Sequence, residues 1–260
     1  MAVHPPPVTA VVERLRIAGC VAAEEEAHDL LAAAPDQGVL EGWLSRRERG
    51  EPLAWITGGL EFCGRWLGVV PGVYVPRIQS EELARKAAGR LPDHGRAADL
   101  CCGAGAIAAH LLAEVPTAAV VGVDLDLKAA ACAAGNGVQA LVGDLDGPLR
   151  QDRSFHVVTA VPPYVPTSEL RLLPADVQRY EPRAALDGGP DGLDVARRIV
   201  TAASRLLRPG GWLLIEAGGE QDEALAPALA AAGFGDAAPW WDEDGELRGL
   251  AAQARPPGAA

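Results

Sequence analysis

Short apolar runs alternate with longer amphipathic segments along the chain from residue 96 onward. Runs rich in β-branched residues predict buried strands, whereas apolar positions that recur every three to four residues predict helices. Strands that alternate with helices form a parallel sheet covered on both faces. We therefore predict a doubly wound, Rossmann-like α/β domain with a seven-stranded sheet. The predicted strands are 97–101, 119–123, 139–142, 156–161, 212–216, 238–241 and 250–254, and the predicted helices are 106–114, 127–134, 168–180, 192–207 and 222–232.

The first fifty residues show helical periodicity instead. We predict helices over 9–19, 22–34 and 39–49. The second of these carries Glu24, Glu25 and Glu26 in its first turn, where the helix dipole favours negative charge. These residues predict a small helical N-terminal domain.

A segment rich in glycine, proline and aromatic residues follows and predicts a connector with a β-hairpin across 60–74. Ser80 is the predicted N-cap of a helix over 81–91. No internal repeat is present. The predicted organisation is a helical domain at 1–58, a linker with a hairpin at 59–80, the sheet domain at 81–255 and a tail at 256–260.

A predicted strand that ends on two prolines is the first candidate for a functional site. Pro162 and Pro163 end the strand 156–161 because proline cannot donate a ladder hydrogen bond. In open α/β sheets, ligands bind at the carboxyl ends of the strands. A rigid turn there presents unclaimed backbone carbonyls beside the ring of Tyr164, which suits a planar, hydrogen-donating group. A strand-ending turn with a packed tyrosine explains the same residues.

A glycine-rich loop lies between the first predicted strand and the helix after it. Residues 103–108 follow the pattern Gly-x-Gly-x-x-Ala, and Asp124 ends the next strand. Glycine lets the backbone approach a ligand, and we expect a side chain at Gly105 to occupy ligand space. Asp124 is placed to accept hydrogen bonds from ribose hydroxyls. The pattern indicates a nucleoside cofactor without separating a nicotinamide dinucleotide from S-adenosylmethionine.

Two further acids bear on that choice. Asp99 stands just before the loop, where its charge would attract the ammonium group of a methionine moiety and repel a pyrophosphate. Asp144 ends the third strand, in a position to contact the adenine edge. For each acid alone, a solvated carboxylate is the simpler explanation. Together with the loop, they favour S-adenosylmethionine.

The charge balance limits the class of partner. Asp and Glu number 35 against 23 Lys and Arg, which gives a formal net charge of −12. Residues 211–246 contain no Lys or Arg. Proteins that bind polyanions neutralise phosphates with clustered basic residues, so we expect no DNA or RNA partner.

Cysteine, histidine and hydropathy patterns further narrow the class of protein. The five cysteines form no Cys-x-x-Cys pair, and Cys101 and Cys102 are expected to be small buried side chains. The five histidines show no metal-ligand spacing, so we predict no metal site. No apolar run reaches the roughly 18–20 residues of a membrane span, and the N-terminus lacks a signal-peptide pattern. We expect a cytoplasmic protein without a membrane partner.

Longer motifs resemble those of one family, the HemK-type release factor glutamine N5-methyltransferases. Four segments resemble, in chain order, the family's linker, its PGVLIPRPxTExL segment, its DLGTGSGAIA cofactor loop and its IVSNPPYIP catalytic segment: GEPLAWITGGLEFCG, PGVYVPRIQSEEL, DLCCGAGAIA and VVTAVPPYVP. The stretches YEPRAALDGGPDGLDVARRIV and LLRPGGWLLIEAGGEQ also match. The YEP and DGGPDGLD match is the most specific, because other Rossmann-type methyltransferases lack it. The resemblance extends over nearly the whole chain.

The resemblance implies a class I S-adenosylmethionine-dependent methyltransferase whose N-terminal domain helps to recognise the substrate. It places the cofactor in the glycine-rich loop and the methyl acceptor at the proline turn. The residues predicted for cofactor binding are Asp99, Cys101, Cys102, Gly103, Ala104, Gly105, Asp124, Leu125, Asp144, Leu145 and Val161, and those predicted for catalysis are Val161, Pro162, Pro163 and Tyr164.

The chain departs from the family pattern in three places. Val161 stands where the family has an asparagine that, with a proline carbonyl, holds the acceptor amide nitrogen. Valine cannot form this hydrogen bond, and losing such a bond costs on the order of a few kcal/mol of transition-state stabilisation. Residues 76–81 replace PRPxTE and alter the lid over the cofactor, and the N-terminal helical region is short.

These departures leave several hypotheses open. The main one is methyl transfer from S-adenosylmethionine to a nitrogen or oxygen acceptor on a protein or a small molecule. The alternatives are a small-molecule N- or O-methyltransferase of a biosynthetic pathway, recruited from the family, and a cofactor-binding protein without activity. A nicotinamide dehydrogenase is disfavoured by Asp99 and the proline turn. Glu181 is a candidate acid near the acceptor, and an ion pair with Arg77 or Arg183 is its alternative role.

Overall fold

The predicted seven-stranded sheet is present in the computed structural model, which describes residues 6–256. A separate two-stranded hairpin precedes it. The strands are β1 (Gly59–Phe62), β2 (Arg65–Gly68), β3 (Arg96–Leu100), β4 (Ala119–Asp124), β5 (Gln139–Val142), β6 (Phe155–Ala160), β7 (Leu207–Glu216), β8 (Ala238–Trp241) and β9 (Leu247–Gln253). The helices are α1 (Val8–Ile17), α2 (Ala23–Ala33), α3 (Gln37–Arg47), α4 (Leu53–Thr57), α5 (Ser80–Ala88), α6 (Ala106–Glu114), α7 (Leu127–Gly135), α8 (Ala175–Tyr180), α9 (Asp194–Leu206) and α10 (Gln221–Ala231).

The sheet has the strand order β5-β4-β3-β6-β7-β9-β8. Strands β3 to β7 pair in parallel, as the alternation of strands and helices predicts. Strand β9 is antiparallel to both β7 and β8 and lies between them. Only residues 242–246 separate β8 from β9, which is too short for the crossover that a parallel pair requires.

The register of the parallel strands brings the predicted site residues to one edge of the sheet. Leu100, the last residue of β3, pairs with Val123 of β4 and with Ala160 of β6. The glycine-rich loop, Asp124 and the proline turn therefore leave the sheet side by side. This edge is where a doubly wound sheet binds its ligands.

Two apolar layers cover the faces of the sheet. Successive residues of a strand point to opposite faces. Val157 accordingly packs in the layer with α5, α6 and α7, whereas its neighbour Val158 packs in the layer with α9 and α10. Both side chains are fully buried.

The N-terminal helices α1, α2 and α3 have an apolar core of their own, centred on the buried Leu15, Leu30 and Leu44. Helix α4, which the sequence pattern did not predict, joins this core to the sheet domain. Its Ile56 packs in the N-terminal core, and its Trp55 packs in the core of the sheet domain. Glycines and prolines surround α4, so the sequence pattern predicted a connector there and not a turn of helix.

Several predicted boundaries were wrong. Ser80 is not an N-cap: Gln79 precedes α5, and the Ser80 hydroxyl donates to Glu216 Oε2 at 2.5 Å instead. The predicted helix 168–180 is a 3-10 turn followed by α8, because Pro174 interrupts it. The hairpin ends at residue 68 rather than 74, and β7 begins at residue 207 rather than 212, with a register shift beside β6.

Within residues 6–256 no helix is long and apolar enough to cross a membrane. The same residues contain no group of three or more His, Cys, Asp or Glu side chains arranged to hold a metal ion. The predicted tail lies, apart from its first residue, outside the described part of the chain.

Candidate functional site

A large cavity opens at the carboxyl edge of the parallel strands and has a volume of about 1540 Å³. Its inner wall contains every predicted site residue except Gly105: Asp99, Cys101, Cys102, Gly103, Ala104, Asp124, Leu125, Asp144, Leu145, Val161, Pro162, Pro163 and Tyr164. Its outer wall comes from 18–22 and 47–50 of the N-terminal helices and from 173–177. The sequence pattern gave no signal for this outer wall, because its residues come from three distant segments.

The two glycines of the loop have different roles. Both have positive φ, +55° at Gly103 and +80° at Gly105. A Cβ atom at Gly103 would meet no atom within 4 Å, whereas one at Gly105 would lie 2.9 Å from Ala133 Cβ and 3.1 Å from Val138 Cγ2. The expectation that a side chain at Gly105 would occupy ligand space was therefore wrong. Gly105 allows the loop to pack against α7, and Gly103 leaves open space beside the cavity.

Asp124 ties the loop to the end of β4. Its Oδ2 accepts a hydrogen bond from the Gly103 amide at 2.8 Å, and its Oδ1 accepts one from the Asp126 amide at 2.9 Å. Burial raises the pKa of the Asp124 carboxyl, against the opposing effect of these amides. Each oxygen accepts one protein hydrogen bond, so each retains a lone pair for a ligand hydroxyl.

Asp99 lies deeper at the same edge and is 1% exposed. Its Oδ1 accepts a hydrogen bond from the Thr159 hydroxyl at 2.8 Å, and its Oδ2 accepts one from the Ala108 amide at 3.3 Å. Burial raises the pKa of this carboxyl to about 7, although both hydrogen bonds act in the opposite direction. Asp99 is therefore neither a solvated carboxylate nor firmly ionised at neutral pH.

The remaining residues of the cofactor side differ in exposure. Asp144 forms an ion pair with Arg198 at 2.6 Å. Leu125 is 72% exposed, and Leu145 is buried. These three residues place one carboxylate and two apolar side chains on the cavity wall beside the ends of β4 and β5.

The adjacent cysteines are thiols in an apolar setting. Cys101 is half-buried and Cys102 is buried, and both are free. Burial is the main cause that raises both pKa values, to about 12 for Cys101. Neither thiol is activated as a nucleophile, in agreement with the predicted packing role.

The proline turn is fixed from several sides. Val161 is half-buried and packs against the apolar core. The carbonyl of Tyr164 accepts a hydrogen bond from Gln221 Nε2 at 2.9 Å, and burial, together with the nearby Glu216 carboxylate, raises the pKa of the Tyr164 hydroxyl. No backbone amide among residues 6–256 donates to the carbonyl of Pro162, and Pro162 lines the cavity. The turn therefore leaves the Pro162 carbonyl without a backbone donor, between an apolar side chain and an aromatic residue.

Behind the turn lies a buried polar cluster that the sequence revealed only in part. Glu216 accepts a hydrogen bond from the Ser80 hydroxyl, and burial raises the pKa of its carboxyl. Glu181 forms an ion pair with Arg77, whereas Arg183 pairs with Asp187. Of the two ion pairs considered for Glu181, the one with Arg77 is present. Hydrogen bonds between segments so distant in sequence leave no local pattern.

Comparison with known proteins shows the family to which the chain belongs. A sequence family described as "Methyltransferase domain" matches residues 97–180. The release factor glutamine methyltransferase of Geobacter sulfurreducens is 42% identical over 201 residues, which cover 75% of this chain and 70% of that protein. Its counterpart in Moorella thermoacetica is 40% identical over 200 residues, with 73% and 70% covered. The chain belongs to the release factor glutamine methyltransferase family.

As a member of the release factor glutamine methyltransferase family, the chain is an S-adenosylmethionine-dependent methyltransferase. The solved E. cuniculi Mtq2-Trm112 complex, responsible for methylation of the eRF1 translation termination factor, is 22% identical with a TM-score of 0.54, covering 71% of this chain and 99% of that one. This likeness concerns the fold, which is the class I methyltransferase fold. The family resemblance read from the sequence is thus confirmed.

The loop fits the cofactor that the family implies. The open side of Gly103 provides space next to the backbone, and Asp124 presents free lone pairs at the same edge. Asp99 lines the same cavity, and its carboxyl group, when ionised, would attract a cationic group. The residues present therefore suit S-adenosylmethionine.

Proposed function

We propose that this methyltransferase binds S-adenosylmethionine against the loop 101–105 and methylates a nitrogen or oxygen acceptor held at the proline turn. One observation supports this most directly: Pro162 and Gly103 line the same cavity, no described backbone amide donates to the Pro162 carbonyl, and Gly103 has an open side. The methyl acceptor and the cofactor would then lie in the same cavity, with no protein segment between them. When bound, the cofactor supplies the electrophilic methyl group.

Each cofactor-side residue has a role in this proposal. Asp124 accepts hydrogen bonds from the ribose hydroxyls, and Asp99 attracts the ammonium group. Asp144 meets the polar edge of the adenine, and Leu125 and Leu145 border its faces. Cys101, Cys102, Gly103 and Ala104 line the path of the backbone beside the methionine moiety, while Gly105 acts through its packing against α7.

The acceptor side determines which group is methylated. An amide nitrogen is a poor nucleophile, because its lone pair is delocalised into the carbonyl, and its methylation requires a precisely held geometry. Here the Pro162 carbonyl can accept one hydrogen bond, and Val161 adds an apolar surface instead of a second acceptor. We therefore propose an acceptor that is a better nucleophile than an amide: an amine, imidazole, hydroxyl or carboxylate.

The molecule that bears this acceptor group enters the cavity on the side of its outer wall. The cavity exceeds the roughly 300–1000 Å³ of a pocket for one small ligand, so a cofactor leaves room for a second group. The N-terminal helices, within the domain we place at 1–58, supply part of the outer wall. The curated relatives are named for a protein substrate, the release factor. We propose that the helices select a protein or small-molecule acceptor without a partner nucleic acid.

The test is transfer of labelled methyl groups to an intact release factor by the wild type, Val161→Asn and the matched control Val161→Ala. We expect little transfer by the wild type and the alanine variant, and a gain in Val161→Asn, which restores a hydrogen-bonding side chain. Efficient wild-type methylation of the release factor glutamine would contradict the role given to Val161. Calorimetry with S-adenosylhomocysteine on all three variants shows whether the cofactor site is intact. Failure of the wild type to bind it would refute the proposed cofactor.

A further inference from the structure

Asn136, just after α7, connects the β1–β2 hairpin to the cofactor loop. Its Oδ1 accepts a hydrogen bond from the Gly68 amide at 2.9 Å. Its Nδ2 donates to the carbonyl of Gly68 at 2.8 Å and to the carbonyl of Ala104 at 2.8 Å. One amide donor and two carbonyl acceptors leave only one orientation of the side-chain amide, because a flipped amide would face like groups.

The carbonyl of Ala104 depends on this side chain. Helix α6 has Gly105 as its N-cap, and its first backbone bond runs from the Ala109 amide to the Gly105 carbonyl at 2.8 Å. The amide of Ala108 donates to Asp99 instead of reaching back to Ala104. The Ala104 carbonyl thus lies one residue before the helical ladder, and Asn136 supplies its donor.

The peptide between Ala104 and Gly105 is held at both ends as a result. Its N–H donates to the Cys102 carbonyl at 2.7 Å, and its C=O accepts from Asn136. A peptide group is planar, so two bonds in opposite directions fix its rotation. Ala104 and the adjacent Gly103, the residue with the open side, both line the cavity.

We propose that Asn136 is a positioning residue for the cofactor, through which the hairpin braces the cofactor loop. This inference rests on the proposed function, because it assumes that the cofactor binds at the loop. A two-stranded hairpin is marginally stable by itself, yet this one is anchored to the loop through both polar groups of Gly68. The chain then continues from Gly68 into residues 72–80, many of which line the cavity. Asn136 therefore aligns the cofactor loop with residues 72–80.

Asn136→Asp is the sharpest test, because it keeps the shape and removes both donors. The carboxylate would face two carbonyl oxygens, so we expect affinity for S-adenosylhomocysteine to fall about tenfold. Asn136→Ala leaves the carbonyls unpaired without adding charge and should lose roughly threefold to tenfold. The matched control is Thr57→Val, which removes hydroxyl bonds to the carbonyls of Leu53 and of Gly59, the residue paired with Gly68 on the opposite strand, and removes no hydrogen bond of Asn136 or of the cofactor loop. Its affinity should stay close to that of the wild type.

Hydrogen exchange of the Gly105 amide separates positioning from stability. We expect faster exchange at Gly105 in both Asn136 variants without ligand, and no change there in Thr57→Val. If Asn136→Asp does not fold, Asn136→Ala decides. Wild-type affinity in the Asn136 variants, or an equal loss in Thr57→Val, would overturn the inference. If the wild type itself fails to bind S-adenosylhomocysteine, the proposed function fails, and the exchange at Gly105 still tests the brace.

Discussion

Cofactor affinity is expected to depend on pH in the neutral range through Asp99. The pKa of this buried carboxyl is raised to about 7, so the free protein holds it largely neutral below that pH. Only the ionised carboxylate attracts an ammonium group, and the α-amino group of the cofactor remains charged up to roughly pH 8. Binding should therefore select ionised Asp99 and release a proton from it below pH 7.

The magnitude follows from the position of the pKa. Lowering the pH from 7 to 6 reduces the ionised fraction of Asp99 roughly fivefold, and each further unit reduces it about tenfold, or about 1.4 kcal/mol. Affinity for S-adenosylhomocysteine should fall by the same factors. The same shift acts on folding in the opposite direction. Since the folded pKa lies above the unfolded value of 3.8, the contribution of Asp99 to stability is fully present below that value and is lost as the pH rises through 7.

Calorimetry at several pH values, in two buffers with different ionisation enthalpies, measures the affinity and the proton release together. Asp99→Asn is the control, because an asparagine can still accept from the Ala108 amide and donate to Thr159. It should bind more weakly, with little pH dependence between 5 and 7.5 and no proton release. A wild-type affinity that is constant over this range, without proton release, would show that Asp99 does not contact the cationic group.

Two further predictions concern the loop. Asp124→Ala should weaken binding of S-adenosylmethionine by roughly 1–3 kcal/mol, through loss of charge-assisted hydrogen bonds, and unchanged affinity by calorimetry would remove Asp124 from the site. Gly103→Ala and Gly105→Ala form a matched pair, since both positions have positive φ but only a Cβ at Gly105 would collide with Ala133. In urea denaturation Gly105→Ala should be the less stable by about 1–3 kcal/mol, whereas Gly103→Ala should show the weaker binding per folded molecule. Equal stability of the pair would contradict the packing role of Gly105.

Local sequence patterns predicted much of the sheet domain. The strand at 156–161 is short and β-branched, and two prolines end it, so neither its position nor its end depends on distant residues. The loop at 103–108 and the acid at the end of β4 were recognisable because a parallel sheet places successive strand ends at one edge. The site residues predicted from these patterns, apart from Gly105, therefore line one cavity.

Contacts between distant segments could not be predicted in the same way. Ser80 has the residue type and spacing of an N-cap, but its hydroxyl bonds to Glu216, 136 residues away. Asn136 bonds to Gly68 across 68 residues, and neither residue stands out in the sequence. The glycine pattern indicated that a side chain does not fit at Gly105. It could not show whether the missing side chain makes room for a ligand or for α7.

The position of β9 has a consequence for how the molecule resists association with other chains. β7 has ten residues, and pairing with β9 covers the edge that faces away from β6. β8 follows β7 in the chain but reaches the sheet only through β9. Any opening of β9 would therefore detach β8 as well and expose unpaired amides and carbonyls along a largely buried, apolar strand. Such an edge is a template for intermolecular strand pairing, so the last strand protects the folded enzyme against aggregation.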